Sequence, residues 1–308
     1  MTITNLLGIK YPIFQGAMAQ IARHELVSAV SNAGALGILA SGGVSPEELR
    51  KEIQQCKELT DKPFAVNLML MMPNIDEIIN VVIEEGVKIV TTGAGTPRKF
   101  MPRLKEVGIK VIPVIPSVKA AVKMEELGCD AVVVEGMEAG GHVGTSTTMA
   151  LLPQVTSAVN IPVIAAGGIA DGRGMAAAYC LGASGVQMGT VFLASEECPV
   201  TDAYKNMILE AVDTSTTLTG EKFGAPVRGI KNELTKKYHE LEERSSTLME
   251  LEELTLGSLR RAVYDGDVEN GSVMAGQIAG LVNEIRPVKN IIEDVIKEAR
   301  EVLKRTEI

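Results

Sequence analysis

Residues 131–142 have the sequence AVVVEGMEAGGH, an apolar run followed at once by a glycine-rich and ionisable turn. The run Ala131–Val134 is continuously apolar, which is typical of a strand buried on both faces. Glycines after Glu135 allow a backbone to approach a ligand closely, and His142 supplies an imidazole that can donate or accept a proton. This stretch predicts a buried strand that ends at a functional site. The alternative is a glycine-rich turn with a solvated histidine.

Short apolar runs of the same kind recur along the first two thirds of the chain. They are Tyr11–Phe14, Leu36–Leu39, Phe64–Leu68, Lys88–Thr92, Lys110–Ile115, Ala131–Val134, Pro162–Ala165 and Gly185–Met188. Amphipathic stretches lie between them, at Pro46–Leu59, Ile75–Glu85, Lys119–Leu127 and Met175–Leu181. This alternation predicts βαβ units with a parallel sheet. Eight units fit an α/β fold of the (β/α)8 TIM barrel type, with a doubly wound open sheet as runner-up.

Polar residues and glycines collect where the predicted strands end. They are Gln15-Gly16, Ser41-Gly42-Gly43, Asn67, Thr91-Thr92-Gly93, Pro116-Ser117, Glu135-Gly136, Ala166-Gly167-Gly168 and Gln187-Met188-Gly189-Thr190. The carboxyl ends of barrel strands meet at one mouth, where barrel enzymes place their active sites. We therefore expect one site at one mouth.

Two of these strand ends have a composition suited to phosphate. Ala165–Gly172 follows the seventh predicted strand, and Gln187–Thr190 follows the eighth. Barrels often bind phosphate with these two loops, because glycine backbone N–H groups and a helix N-terminus favour an anion. The region predicts a phosphate-binding site.

The chain changes character after Thr190. Residues 196–260 are rich in charge, prone to helix and contain no convincing strand. We predict a barrel over 1–196, a helical insertion or lid over 197–285, and a final helix over 286–308 that packs back on the barrel. Within the insertion, Gly271–Gln277 is either a lid over a planar ligand or a helix start with small residues for packing.

The composition excludes several classes of protein. The net charge of -9 over 308 residues makes the chain a poor general binder of nucleic acid. No run approaches the roughly 20 apolar residues of a membrane span, and no signal-peptide pattern is present. Four widely spaced cysteines favour free thiols, so we expect a cytoplasmic protein. Zinc spacing, a Walker sequence, a nucleophile elbow and a complete dinucleotide fingerprint are also missing from the sequence.

The order of the motifs resembles the nitronate monooxygenase/enoyl reductase superfamily of FMN barrels, which includes the 2-nitropropane dioxygenases. The motifs are Tyr11–Met18, Lys62–Asn67, Val90–Gly95, Glu135–His142, Ile164–Asp171 and Gln187–Thr190. Within it, the chain is most similar to the flavin-dependent (type II) enoyl-acyl-carrier-protein reductases. Features of this branch are Glu135, where nitronate monooxygenases typically carry glutamine, Thr147–Met149, the Phe223–Asn232 region and Gly271–Leu281.

The resemblance implies FMN, NADH or NADPH as electron donor, and an enoyl thioester on acyl carrier protein as substrate. Gln15, Gly16, Ala17 and Asn67 would contact the flavin ring, and Glu135 would bind near the ring or ribityl chain. The phosphate end would be held by Ala166, Gly167, Gly168, Gln187, Met188, Gly189 and Thr190. Ser272 and Met274 would approach the ring from the lid, and Met18, Thr92 and Gly141 complete the cofactor-binding set. A monovalent cation near the lid and a homodimer are also implied.

His142 is the candidate catalytic residue, as proton donor to the substrate carbon or as hydrogen-bond donor to the thioester oxygen. The alternative function is oxidation of alkyl nitronates with oxygen, in which His142 would act as base. A third possibility is a non-catalytic flavin- or phosphate-binding barrel. Because acyl carrier protein and this chain are both acidic, docking requires a local basic patch. Candidates are Arg98, Lys99, Arg103 and Lys105, or Lys231, Lys236 and Lys237.

Overall fold

The computed structural model describes residues 2–244 and 247–305. The strands in this part of the chain are β1 (Ile13–Gln15), β2 (Gly37–Ala40), β3 (Phe64–Met69), β4 (Ile89–Gly93), β5 (Lys110–Ile115), β6 (Val132–Glu135), β7 (Gly141–His142), β8 (Val163–Ala166), β9 (Gly185–Met188), β10 (Thr216–Thr219) and β11 (Val227–Ile230). Eight of them form one parallel sheet in the order β1-β9-β8-β6-β5-β4-β3-β2. A parallel bridge between Phe14 and Leu36 joins the two ends of this order. The sheet is therefore the predicted (β/α)8 barrel, and the open-sheet alternative is wrong.

Helices surround the barrel and build the C-terminal third. In the described residues they are α1 (Ile3–Leu7), α2 (His24–Asn32), α3 (Pro46–Leu59), α4 (Ile75–Glu84), α5 (Met101–Glu106), α6 (Val118–Glu126), α7 (Thr148–Thr156), α8 (Gly172–Cys180), α9 (Thr190–Leu193), α10 (Asp202–Leu209), α11 (Glu233–Glu243), α12 (Leu248–Thr255), α13 (Ser258–Arg260) and α14 (Val288–Arg305). Short 3-10 turns occupy Pro97–Lys99, Glu221–Phe223 and Gln277–Leu281, and a π turn occupies Arg261–Asp265.

The bounds of the barrel helices follow from local sequence signals. In α3, the Ser45 hydroxyl accepts from the N–H of Glu48, and the Glu48 carboxylate accepts from the N–H of Ser45. This capping box, with Pro46 in the first turn, fixes where the helix begins.

Two apolar layers result from the alternation of side chains along each strand. One layer fills the barrel and contains Phe14, Ile38, Ala65, Ile89, Ile112, Val133 and Ile164. The intervening strand residues pack outward against the helices. Residues Ile3 and Leu7 of α1, with Ile9, join the inner layer. Because this segment directly precedes β1, it covers the amino ends of the strands and leaves the carboxyl ends as the open mouth.

The expectation that residues 196–260 contain no strand was wrong. Strands β10 and β11 form an antiparallel hairpin, and β11 also pairs with the two-residue strand β7. The resulting three-stranded sheet ties the C-terminal third to the loop that follows β6. The division of the chain at residues 196 and 285 stays a prediction.

The last helix, α14, packs mainly against α8 and also touches α2. Its buried face consists of Val288, Ile291, Ile292, Val295, Ile296 and Ala299. Residues 306–308 of the predicted final helix lie outside the described residues. Among the helices described, none has the length and apolar character needed to cross a bilayer.

Candidate active site

Polar side chains line the inside of the barrel at its mouth. Asn67, Thr91, Glu135 and Gln187 lie on the same face of their strands as the inner layer, so each points inward at a carboxyl end. The Asn67 amide donates to the Thr91 hydroxyl at 2.9 Å. The predicted ligands Asn67, Glu135 and Gln187 are thus brought to one place, and Thr91 joins them.

Glu135 is the one carboxyl group in this ring of side chains. Its carboxylate has no hydrogen-bond or ion-pair partner within residues 2–244 and 247–305. Burial among the strands raises the pKa of Glu135 to about 7. A buried polar group normally has a partner, so this carboxyl group is suited to bind a ligand with a hydrogen-bond donor.

Backbone N–H groups converge where β8 and β9 end. Gly167 and Gly168 have φ of 90° and 75°, a conformation that favours glycine. The N–H groups of Gly168, Gly189 and Thr190 donate no hydrogen bond within the described part of the chain. Gly189 directly precedes the short helix α9. These donors form a cradle for an anion.

The N-terminus of α8 does not contribute to this cradle, although α8 follows the Gly167-Gly168 loop. The N–H groups of Arg173 and Gly174 both donate to Asp171, at 3.0 Å. The N–H of Gly172 donates to Glu298 of α14 at 2.8 Å. Carboxylates of the protein therefore already occupy the end of this helix.

A hub formed by Thr148 and Glu138 holds the cradle in place. The N–H of Thr148 donates to both carboxylate oxygens of Glu138 at 3.0 Å. The Thr148 hydroxyl lies 2.9 Å from the carbonyl oxygen of Gly167. A Cβ atom at Gly167 would lie 2.8 Å from the carbonyl oxygen of Gly136. The loops after β6 and β8 consequently support each other at close range.

His142 lies in β7, at the rim of the mouth. Its backbone pairs with Val227 of β11, and the next N–H, from Val143, donates to the carbonyl of Pro226 at 3.1 Å. The residue is exposed, and its imidazole makes no hydrogen bond or ion pair within the described residues. The hairpin thus fixes the backbone of His142 and leaves the ring free to meet a substrate.

Residues 272–277, which we call the strap, complete the rim. The N–H of Gly276 donates to the Thr190 hydroxyl at 2.8 Å, and the N–H of Gln277 donates to the carbonyl of Glu138 at 2.9 Å. The Tyr204 hydroxyl donates to the carbonyl of Met274 at 3.0 Å. The strap therefore contacts the loops after β6 and β9, and the lid interpretation of this segment stays a prediction.

Individual strap residues differ in how they face the mouth. The Met274 sulfur would lie 3.7 Å from a Cβ atom at Gly141. The Ser272 hydroxyl instead lies 2.7 Å from that of Ser258. It also lines a cavity of about 30 Å³ behind the strap.

Other predicted ligands meet at the junction of β1 and β9. A Cβ atom at Gly16 would lie 3.4 Å from the Gln187 side chain, and one at Gly189 would lie 3.8 Å from the Met18 sulfur. Ala17 packs against the inner layer, which also contains Ala166.

Three predicted ligands have side chains that do not reach the mouth. Gln15 is fully buried, and its amide bonds to the backbone of Gly16 and Ile38. Met188 belongs to the outer layer, and Thr92 lies on the outward-facing register of β4. For these residues a side-chain role at the flavin stays a prediction.

Three residues of the site have roles that were not predicted from the sequence: Glu138 and Thr148 as supports, and Arg228 as a neighbour. Glu138 lies within the quoted stretch, three residues after the strand-ending carboxylate. Its contact with Thr148 depends on the return of the chain into α7.

A (β/α)8 barrel with an anion cradle after its last two strands and a polar mouth defines a flavin-dependent oxidoreductase of the barrel class. The family model described as nitronate monooxygenase matches residues 1–298, so the chain belongs to the nitronate monooxygenase family. FMN is the cofactor of proteins of this type.

Relatives in this family carry different activities in their names. The chain is 37% identical to a probable nitronate monooxygenase of Staphylococcus saprophyticus, over 98% of both chains. It is 36% identical to a (3aS,4S,5R,7aS)-5-hydroxy-7a-methyl-1-oxo-octahydro-1H-indene-4-carboxyl-CoA dehydrogenase of Mycobacterium tuberculosis, over 96% of this chain and 95% of the relative. Among solved structures, FabK from Thermotoga maritima is 51% identical, with a TM-score of 0.96 over 99% of this chain and 98% of that one.

Proposed function

We propose that the protein is an FMN-dependent enoyl-acyl-carrier-protein reductase that uses NADH or NADPH, at the last step of the fatty-acid elongation cycle. The observation that carries this proposal is the 51% identity to FabK, an enoyl-acyl-carrier-protein reductase of type II, along almost the whole chain. The motifs that place the sequence in the reductase branch point the same way.

The residues present fit FMN. The cradle of Gly168, Gly189 and Thr190 N–H groups is suited to its phosphate, since all three donors lack a partner among the described residues. Glu135, whose carboxylate has no hydrogen-bond or ion-pair partner in the same part of the chain, is suited to a donor on the ring or ribityl chain. Asn67 and Gln187 supply further hydrogen-bonding groups on the same inner face.

The overall reaction adds a hydride to Cβ and a proton to Cα of the enoyl thioester, and oxidises the nicotinamide donor. FMN held by the cradle and by Asn67, Glu135 and Gln187 would supply the hydride-transfer chemistry that side chains cannot. The protein must therefore exclude a competing acceptor, orient the thioester and supply the proton.

His142 is the group we assign to the proton or to the thioester oxygen. It lies on the rim, where its imidazole has no hydrogen-bond or ion-pair partner among residues 2–244 and 247–305, while its backbone is fixed by the hairpin. An imidazolium at this position can protonate Cα, and an imidazole N–H can stabilise the negative charge that develops on the thioester oxygen.

Nitronate monooxygenase is the second candidate function, favoured by the family description and by the Staphylococcus saprophyticus relative. In that case His142 would remove the acidic C–H proton of the neutral nitroalkane, which gives the nitronate that is oxidised. Glu135 argues against it, because the resemblance places glutamine there in nitronate monooxygenases. The homodimer, the cation near the lid and the cytoplasmic location stay predictions.

Anaerobic stopped-flow absorbance distinguishes the two functions. The flavin is first reduced with NADH or NADPH and then mixed with crotonyl coenzyme A; in a separate run the oxidised flavin is mixed with an alkyl nitronate. We expect rapid reoxidation by the enoyl thioester. Bleaching by nitronate without reoxidation by the thioester would transfer the assignment to the monooxygenase. Failure of every donor and substrate would favour a non-catalytic flavoprotein.

A further inference from the structure

Arg228 is a buried cation beside the mouth, outside the set of ligands assigned above. It lies in β11 directly opposite Gly141 of β7, and the whole residue is only 4% exposed. Arginine is almost never this buried unless its charge is paired.

The burial of Arg228 is not explained by a salt bridge. Within the described residues no carboxylate approaches its guanidinium closely enough for an ion pair, and its partners are the carbonyl of Met137 at 2.9 Å and the hydroxyl of Thr216 at 3.2 Å. Burial lowers the pKa of Arg228, and the charges of Glu138 and Glu221 oppose this effect at longer range. Burying such a cation is unfavourable for folding, so stability alone does not account for the residue.

Through its hydrogen bond to the Met137 carbonyl, Arg228 contacts the loop between β6 and β7 that leads to His142. The N–H of Met137 is itself held by the carbonyl of Ser146 at 2.8 Å. On the other side of the loop, the strap holds the carbonyl of Glu138 through Gln277. The loop between β6 and β7 is thus clamped from both sides, and Arg228 supplies the side-chain contact from the hairpin.

We propose that Arg228 is a positioning residue, which holds the Met137 carbonyl and so sets the position of His142 at the rim. Because guanidinium is a planar fork, it can bond Met137 and Thr216 at once, which a lysine ammonium in the same place cannot do with the same geometry. The inference rests on the proposed role of His142.

A double-mutant cycle tests the coupling. Arg228→Met keeps length and removes charge, and it is made alone and together with His142→Ala. Rates of flavin reduction by the nicotinamide donor and of reoxidation by crotonyl coenzyme A are measured separately at matched FMN occupancy. We expect Arg228→Met to slow reoxidation by about 10- to 100-fold, since small misplacements of a reacting group have effects of this size. Flavin reduction should change little, and the substitution should have no further effect when His142 is absent.

Two further variants test which hydrogen bond of Arg228 is responsible for the effect. Arg228→Lys should recover part of the lost rate, because it restores one donor and the charge. Thr216→Val removes the other partner of Arg228 and should leave reoxidation within about twofold of wild type, because the Met137 contact remains. If Arg228→Met does not fold, the cycle is run with Arg228→Lys.

The outcomes separate this inference from the proposed function. Equal slowing of both half-reactions, or the same loss with and without His142, would overturn the positioning role. If wild type fails to reduce crotonyl coenzyme A but oxidises alkyl nitronate, the reductase proposal fails. The same cycle measured with nitronate then decides the role of Arg228.

Discussion

The side-chain oxygen of Gln15 accepts a hydrogen bond of 3.1 Å from the backbone N–H of Ile38, across the join between β1 and β2. The two strands share only the Phe14–Leu36 bridge, so this amide substitutes for a missing rung of the ladder. Both residues are completely buried. The barrel is therefore closed partly by a side chain.

Gln15→Leu should lower the free energy of unfolding by about 1–3 kcal/mol, because it leaves the N–H of Ile38 buried without a partner. Urea denaturation measures this. Gln54→Leu, at an exposed glutamine that bonds Glu85, is the matched control and should change stability much less. Equal effects of the two variants would show that the join between β1 and β2 does not depend on the Gln15 amide.

Glu135→Gln should raise stability at alkaline pH. The pKa of Glu135 is about 7 in the folded protein, above the 4.5 of an ordinary glutamate, so the native state binds the proton more tightly than the unfolded state. The contribution of Glu135 to the stability of the protein is therefore greatest below pH 4.5 and is lost as the pH rises through 7. Denaturation midpoints of both proteins between pH 5 and 8, at one FMN concentration, should diverge with pH. Parallel curves would contradict the raised pKa.

Gly167→Ala should reduce FMN affinity by at least about tenfold, because the backbone at φ of 90° and the close carbonyl of Gly136 leave no room for a methyl group. Titration of flavin fluorescence measures the Kd. Gly128→Ala is the control: its φ is 80°, but a Cβ atom there meets nothing within 4 Å. That variant should lose stability and keep its FMN affinity. Loss of FMN from both would point to general destabilisation.

His142→Ala should lower turnover by roughly 10²–10⁴-fold if the imidazole is a general acid. FMN occupancy should be unchanged, because the imidazole makes no hydrogen bond or ion pair with the described residues that line the anion cradle. The absorbance of bound flavin checks occupancy in the same sample. Unchanged turnover with intact flavin would exclude the role.

Arg98→Glu should slow turnover on a carrier-linked substrate by on the order of tenfold at low salt, because it weakens attraction for an acidic partner. Arg98 is exposed after β4, whereas Lys99 and Arg103 pair with Asp76, and Lys105 pairs with Asp130. Lys88→Glu changes an exposed charge at the opposite end of β4 and should have little effect. Equal slowing on the coenzyme A analogue would count against a docking role for Arg98.

Most of the barrel could be predicted from sequence because its strands are buried on both faces and read as apolar runs. The hairpin could not be predicted in this way, since its first strand, Thr216–Thr219, is polar and half-buried. Its second strand, β11, pairs with β7, a two-residue strand far earlier in the chain. The Thr-rich run, and the glycines at 220 and 224 between the two segments, were the available signal.

Part of the geometry of the site could be predicted from the strand pattern, and the roles of its residues stay predictions. Asn67, Glu135 and Gln187 stand at strand ends. Their inward orientation follows from the strand pattern, because residues two apart on a strand share a face. Arg228 gave no signal of its own: its partner is a backbone carbonyl 91 positions away. The side-chain orientations of Gln15 and Thr92 depend on which face of the strand is inward, which their position at a strand end does not specify.

The strap has a consequence for the order of assembly during synthesis. Thr190 and Glu138 are synthesised long before their partners Gly276 and Gln277. Glu298, the partner of Gly172 at the start of α8, is synthesised later still. Contacts of such large sequence separation form late and slowly. A ribosome-bound chain can therefore bring its eight strands together while the rim is still open. The anion cradle and the His142 loop reach their final geometry only when the strap, residues 272–277, has emerged.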